Sequence, residues 1–323
     1  MLKKVAIAAG VTAGVMVAAA NLLYDALLVP ASPLSVRRFF ERDAVAASRP
    51  MDTTGLGPDA QAWQEHRARA LEWLDAGTFE ELTLRAPDGP VLCGRLYPAD
   101  LPTHRCAVLC HGYVGSPGNL AGTALRFHDE GWNVLMPWMR GHGQSEGKSL
   151  TVGAKESRDV LGWVRRLVNR DGEAEVLVFG SSMGGASVMQ LAGMELPKNV
   201  RAIVSDCGFS SLRELMGEEF GPAILPELPL IDATCRLRGG FSIDDVNAVE
   251  AVSHASVPML FIHGAADELV PPAMLDEVYE ACASPRKRRL LVPDAPHAQS
   301  VTAHPALYWR EMDAFIADAW DAA

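Results

Sequence analysis

The sequence predicts an α/β fold: a mainly parallel sheet with helices on both faces. Three observations carry this. Continuous apolar runs at Cys106–Cys110, Val176–Phe179, Val200–Val204 and Met259–Ile262 read as strands buried on both faces rather than one. Helical patterns alternate with them, over about Leu120–Glu130, Lys155–Asn169, Ala273–Cys282 and Pro305–Ala317, as a parallel sheet requires. At the centre, Gly180-Ser181-Ser182-Met183-Gly184 joins the run Val176–Phe179 to the small-residue segment Ala186–Ala192, giving strand, tight turn and helix in succession.

Taken in order, the chain opens with Lys3-Lys4 and an uncharged run from Val5 to Tyr24, the first acid being Asp25. About 20 apolar residues suffice to span a bilayer, so residues 1–29 read as an N-terminal membrane anchor or signal segment. As an anchor, with the lysines cytoplasmic, the segment makes the membrane a partner and places the rest of the chain outside the cytoplasm. As a cleaved signal, cut at the A-x-A-like Ala18-Ala19-Ala20, it implies a secreted protein. A helix buried in a globular body is the third reading. Continuing apolar character through Leu22, Leu23, Leu27, Leu28 and Val29 favours the anchor, while Arg37, Arg38 and Arg42 weaken the charge asymmetry that would orient it.

Residues 30–78 form a helical lead-in. Gln61–Ala76 carries Trp63, Leu71 and Leu74 among charges and ends before Gly77, an amphipathic helix with its stop signal. Residues 79–323 are the main domain. It begins with two alternating segments, Phe79–Arg85 and Val91–Tyr97, joined through Pro87-Asp88-Gly89. That is an antiparallel hairpin, expected at the edge of the sheet. Strand Trp132–Met136 and a last strand at Arg289–Val292 complete the series. The alternation breaks between Val204 and Met259. Residues of about 209–252 carry Pro222, Pro226, Pro229 and Gly239-Gly240, too long for a simple connection, and read as an inserted helical lid.

Bulk composition narrows the function classes. The 323 residues are 49% hydrophobic and 21% charged, as in a globular protein with a sizeable core. A net charge of −11 argues against a nucleic-acid surface. The six cysteines show no metal-type spacing. Cys106 and Cys110 would share a face of one strand about 13 Å apart, too far to bridge, so buried free thiols are expected. No two-histidine helical motif suggests a metal, and Gly180–Gly185 lacks dinucleotide-binding spacing. No cofactor is called for.

Acyl transfer by a serine needs a base, an acid that orients the base, and N–H donors for the oxyanion. Each is found after a predicted strand, in the order Ser, Asp, His. Ser182 is the nucleophile, at a helix N-terminus whose dipole favours developing negative charge. Gly180 and Gly184 remove Cβ atoms from its turn. His297, in the loop beyond the last strand, is the base. His304 abuts Pro305 at a helix start, and His111, His142 and His263 read as structural or pocket-lining. Asp267 is the acid, with Asp206, at the end of the preceding strand, as its competitor. The oxyanion donors are the backbone N–H groups of Met183, next after the nucleophile, and Tyr113, in the loop His111–Ser116.

These residues resemble the α/β-hydrolases, and within them the branch of serine esterases and serine-peptidase-like enzymes. The matching stretches are His111-Gly112, Arg140-Gly141-His142-Gly143-Gln144-Ser145, Gly180–Gly184, His263-Gly264-Ala265-Ala266-Asp267 with Val270-Pro271, and His297. The resemblance extends from about Phe79 to the C-terminus, and the chain is similar in particular to bacterial hydrolases with a single N-terminal anchor. It implies an α/β-hydrolase fold, with Ser182, His297 and Asp267 as nucleophile, base and acid and Tyr113 and Met183 as oxyanion donors. Ala295-Pro296 departs from the family pattern and would stiffen the His297 loop.

The expected function is a serine hydrolase with an acyl-enzyme intermediate: a carboxylesterase or thioesterase acting on a small to medium acyl substrate. One alternative is a peptidase on short peptides, with Glu214, Glu218 and Glu219 of the lid region capturing a free amine, although these acids equally form a solvated helix face. The other is a catalytically silent scaffold at a membrane surface. The sequence leaves the oligomeric state open.

Overall fold

Strand ends, rather than strand identities, are what bring the candidate residues together. The computed structural model describes residues 2–36 and 58–321, and in the first helix the side chains of residues 14 and 16 onward. Eight strands form one sheet: β1 (Glu80–Arg85), β2 (Val91–Tyr97), β3 (Arg105–Cys110), β4 (Asn133–Pro137), β5 (Glu175–Ser181), β6 (Val200–Asp206), β7 (Met259–Gly264) and β8 (Lys287–Val292). Their order is β1-β2-β4-β3-β5-β6-β7-β8. The hairpin is antiparallel and joins β4 antiparallel, and β3 to β8 run parallel. The register pairs Cys110 with Gly180, Ser181 with Asp206, Asp206 with Ile262, and Gly264 with Val292. The C-terminal ends of β5, β6, β7 and β8 thus reach the same edge.

The central strands β3 to β7 are largely apolar because both faces are covered. In β5, Val176 and Val178 pack into one core and Leu177 and Phe179 into the other. In β6, Ile203 faces the first core and Ala202 and Val204 the second. One face carries α4 (Glu156–Arg170), α5 (Met183–Ala192) and α9 (Ala273–Ala281). The other carries α2 (Pro58–Ala76), α3 (Ala121–Asp129) and α11 (Pro305–Trp320), beside the short α10 (Ser300–Ala303). Each buried apolar side chain contributes about 1.5–3 kcal/mol, so period-2 alternation into two cores stabilises every residue of a central strand.

Between β6 and β7 the chain folds into short helical pieces, chiefly α6 (Leu212–Phe220), α7 (Leu228–Thr234) and α8 (Ala248–Val252). Pro222, Pro226 and Pro229 break the run into separate turns, because each lacks an N–H and clashes with the preceding turn.

The expected membrane anchor is overturned. Among the described residues no helix is long and apolar enough to cross a membrane. The N-terminal helix α1 (Leu2–Leu28) lays the last two turns of its apolar stripe on the body: Ala20, Tyr24 and Leu28, four residues apart, are buried. The Tyr24 hydroxyl donates to Ser149 Oγ at 2.7 Å, and Leu150 N–H donates to the Leu28 carbonyl at 2.8 Å. The Arg238 guanidinium pairs with Asp25 and stands 4.3 Å over the Tyr24 ring. Of the leucines that suggested a bilayer segment, Leu23, Leu27 and Leu28 face this contact or a cavity described below, and Leu22 is exposed. Arg37, Arg38 and Arg42 lie outside the described residues, as do the side chains of Lys3 and Lys4.

Replacing Tyr24 by alanine should therefore cost about 3 kcal/mol and expose the 14–30 segment to proteolysis. Leu22→Ser, at a position 54% exposed, should change stability by less than about 0.5 kcal/mol. Urea denaturation and limited proteolysis check both, and equal behaviour of the two variants would place α1 off the body.

Candidate active site

Ser182 occupies a turn that only its surroundings can enforce. Its backbone has φ 56° and ψ −119°, a sparsely populated conformation for a residue with a Cβ. Its N–H donates to the Asp206 carbonyl at 2.8 Å, and its own carbonyl accepts from Ala186 N–H at 2.9 Å as α5 begins. A Cβ on Gly180 would collide with the Gly184 carbonyl, and one on Gly184 with the Cys110 carbonyl. The two glycines are required by contact, as the sequence pattern implied.

The three side chains expected to act together are together. The Ser182 hydroxyl lies 2.9 Å from His297 Nε2, and His297 Nδ1 lies 2.7 Å from Asp267 Oδ2. Because the carboxylate can only accept, Nδ1 carries the hydrogen, and in the neutral ring Nε2 is free to accept from Ser182. Asp267 Oδ1 accepts from the N–H groups of Leu269 and Val270 at 3.0 and 2.9 Å. His263 Nε2–H points at the Val270 carbonyl (2.9 Å) and at Asp267 Oδ2 (3.2 Å). His263, expected as structural or pocket-lining, is thus a further donor that holds the acid.

The electrostatics follow from this donor set. Burial pushes the Asp267 carboxyl up, but His263, His297 and the Val270 amide pull it well below the ordinary carboxylate range. Its stabilising contribution is present above the unfolded-state value and lost as pH falls through the folded one. For His297, burial favours the neutral ring, whereas the neighbouring Cys207 side chain and the Asp267 carboxylate outweigh it and raise the imidazole above its ordinary value of 6.5. The competitor Asp206 is turned elsewhere: its Oδ2 accepts from the Tyr308 hydroxyl at 3.0 Å, and burial pushes its carboxyl up to about 6.

The expected oxyanion donors border Ser182. Met183 is the first residue of α5, where helix geometry leaves backbone N–H groups unused, and the loop after β3 presses against the elbow, the Gly180–Gly184 turn that carries Ser182. A Cβ on Gly112 would stand 3.1 Å from Ser182 Cβ. His111 accepts from Met139 N–H at Nε2 (3.1 Å), so its Nδ1–H donates to the Gly112 carbonyl (2.8 Å). Tyr113 is fixed at two points: its carbonyl contacts His142 Nε2, and its hydroxyl donates to the Leu27 carbonyl of α1.

The Arg140–Ser145 stretch supports this loop from behind. Arg140, 3% exposed, makes a bidentate pair with Asp159 at 2.7 Å and reaches Asp88 at 3.0 Å. Asp88 sits in the hairpin turn. His142 stands between two carbonyl acceptors, Arg140 at Nδ1 (2.9 Å) and Tyr113 at Nε2, and the neutral ring donates to one of them. The Ser145 hydroxyl donates to the Trp138 carbonyl at 2.6 Å, and Ser145 Oγ accepts from Cys93 N–H at 2.9 Å. Sequence spacing alone did not reveal that this motif acts through His142.

Ser182 and His297 open into a cavity of about 680 Å³. Its wall is mostly apolar, from α1, α2, the 113–120 loop, α6 and the segment Leu269–Val270. Of the acids considered for amine capture, Glu219 lines it, whereas Glu214 is engaged by the hydroxyls of Ser210 and Ser211 at 2.8 and 3.0 Å. All six cysteines are free, and no group of three or more His, Cys, Asp or Glu side chains that could hold a metal occurs among the described residues.

Comparison with known proteins agrees with this architecture. Residues 102–228 match the family model described as serine aminopeptidase, S33. The structure is similar to that of the Pyrococcus furiosus esterase Pf2001, with TM-score 0.60 and 25% identity over 75% of this chain and 92% of that one. It is also similar to mouse alpha/beta hydrolase domain-containing protein 10, with TM-score 0.55 and 21% identity over 74% and 99% of the two chains. The chain has the α/β-hydrolase fold. In sequence it is 29% identical to the uncharacterized protein YqkD of Bacillus subtilis over 224 residues, which is 68% of this chain and 72% of that one. The α/β-hydrolase fold expected from the sequence is thus present, while the likeness to anchored hydrolases stops short of the anchor.

Two outcomes follow. Arg140→Met strands the buried Asp159 carboxylate and should destabilise the fold by about 3–5 kcal/mol, measured by urea denaturation. Tyr113→Phe removes the tether to Leu27; with Tyr113 N–H as the expected oxyanion donor, it should lower kcat on any turned-over substrate several-fold while leaving KM within about twofold, because such a donor acts mainly in the transition state. Steady-state kinetics of the purified variant test this, and an unchanged kcat contradicts it.

Proposed function

We propose that this protein is a serine hydrolase that cleaves carboxylic esters through an acyl-enzyme. The observation that carries the reading is the continuous line Ser182–His297–Asp267, with spacings of 2.9 and 2.7 Å, at the mouth of an apolar cavity. Ser182 Oγ attacks the ester carbonyl as His297 Nε2 takes its proton. The tetrahedral oxyanion is received by the N–H groups of Met183 and Tyr113, and His297 returns the proton to the leaving alcohol. Water then attacks the acyl-enzyme, with His297 again as base and Asp267 stabilising the imidazolium. The likeness to an esterase at 25% identity and the mostly apolar wall of the cavity support esters. Thioesters would be cleaved by the same steps.

A second reading, aminopeptidase action on short peptides, is favoured by one observation. Glu219 lines the cavity, where burial raises its carboxyl, His297 lowers it and Asp267 raises it. It offers a carboxylate to a substrate amine close to the nucleophile. The family model's description points the same way.

Ser182→Ala should abolish turnover, a loss of at least about 10⁴-fold, and abolish labelling by a fluorophosphonate probe, while circular dichroism stays unchanged. Full activity in that variant refutes the mechanism. Short acyl esters should be hydrolysed at least about 100-fold faster than aminoacyl amides. The reverse order, with loss of amide cleavage in Glu219→Gln, would establish the peptidase reading instead.

The neutral form of His297 is the base, and its pKa lies above 6.5. The ring is therefore protonated further up the pH scale, and kcat/KM should rise with pH along a limb centred above 6.5. A limb at or below 6.5 in a pH–rate profile contradicts this assignment.

A further inference from the structure

The cavity at Ser182 is built partly from a segment outside the main α/β domain. Along α1, the residues Ala20, Tyr24 and Leu28 are buried against the body. Leu23 and Leu27, one helical turn apart and on the neighbouring stripe, are half-buried and line the same cavity as Ser182, Gly112 and His297. Leu215 and Met216 of α6 line it too. We propose that Leu23 and Leu27 of α1 are specificity-determining residues that bound an acyl-chain channel, and that the substrates are esters of linear acyl groups of about eight to twelve carbons. This rests on the ester-hydrolase reading above and deepens it by naming the substrate class.

The side of the site on which α1 lies selects the acyl group over the alcohol. The leaving oxygen must sit within reach of His297, because that imidazole returns the proton to it. The acyl substituent then extends away from His297, past the loop that receives the oxyanion. α1 is fastened to that loop: the Tyr113 hydroxyl donates to the Leu27 carbonyl. It is held there by Ser149, Leu150 and Arg238; of its side chains that line the cavity, Leu23, Leu27 and Leu28 carry no polar atom, and the Tyr24 hydroxyl is engaged by Ser149. A carboxylate, sugar or peptide would leave its polar groups unpaired against Leu23, Leu27 and Leu28, whereas a polymethylene chain has none to leave. The volume of about 680 Å³ falls within the range of about 300–1,000 Å³ that holds a drug-sized ligand. That suits a medium-length chain together with its ester head and exceeds what an acetyl group would fill.

The test is the hydrolysis of p-nitrophenyl esters from two to sixteen carbons by the full chain. For the native protein, kcat/KM should climb with chain length, by up to about fourfold per methylene, and peak at about eight to twelve carbons. In Leu27→Trp the indole shortens the channel, and the ratio of kcat/KM for the ten-carbon ester to that for the acetate should fall at least tenfold. Leu23→Ala lengthens the channel and should shift the peak to longer chains. It serves as the test if the tryptophan variant fails to fold. A native profile that falls from acetate onward overturns the inference, and so does an unaltered profile in the folded variants. Both leave ester hydrolysis standing. Absence of turnover on every ester, together with no fluorophosphonate labelling of Ser182, instead removes the ester-hydrolase reading itself.

Discussion

At Ser182 the chain is held in a conformation that costs about 1–3 kcal/mol, and much of the surrounding architecture serves to impose it. The strain is local, but the restraints are not. Asp206, at the end of the adjacent strand, accepts the Ser182 N–H. Gly180 and Gly184 let the strand end and the first turn of α5 close on each other and on Cys110. Parallel pairing on both sides of β5 fixes where that strand stops. A serine on a flexible loop would have the same chemistry without a fixed direction. Here the hydroxyl points along a line on which a nitrogen acceptor already stands.

The charges around that line are sorted by burial and by donors. Asp267 and Asp206 are both buried carboxyls at neighbouring strand ends, yet their pKa values move in opposite directions. Asp267 receives two backbone N–H groups and two imidazoles and stays anionic. Asp206 receives one phenol and is pushed up. An anion opposite His297 Nδ1 fixes the tautomer and stabilises the imidazolium, which a half-protonated acid would do less well. The division of labour between the two aspartates is set by what donates to each, since both lie close enough to feel His297.

This is also where the sequence stopped being legible. The sheet was readable because a strand covered on both faces must be apolar at every position, a strong local signal. That Ser182, His297 and Asp267 would meet was readable because each follows such a strand, and parallel strands deliver their C-terminal ends to one edge. The choice between Asp206 and Asp267 was not readable from pattern alone: it turns on Tyr308, over a hundred residues along the chain from Asp206. The N-terminal helix misled for a related reason. A stripe of leucine, valine and alanine has the same composition whether it faces lipid, a core or a substrate cavity. The discriminating features are single residues, Tyr24 with a hydroxyl that needs a partner and Asp25 opposite Arg238, and these acquire meaning only once Ser149 and residues 235–239 are folded beside them.

The same logic explains why a helix outside the main domain bears on the chemistry. Tyr113 lies between three segments remote in sequence: the elbow, through Gly112; the Arg140–Ser145 loop, through His142; and α1, through Leu27. Its backbone can hold an N–H toward an oxyanion only if the loop neither rises nor rotates, and a loop rich in glycine does not resist either motion by itself. The Tyr113 carbonyl and hydroxyl have different partners, His142 and the Leu27 carbonyl, so the peptide is restrained at the main chain and at the far end of the side chain. A helix that binds the acyl group through Leu23 and Leu27 while accepting the hydroxyl of Tyr113 makes chain binding and oxyanion geometry depend on one contact. Binding energy gained far from the reacting carbonyl is then available to hold the transition state.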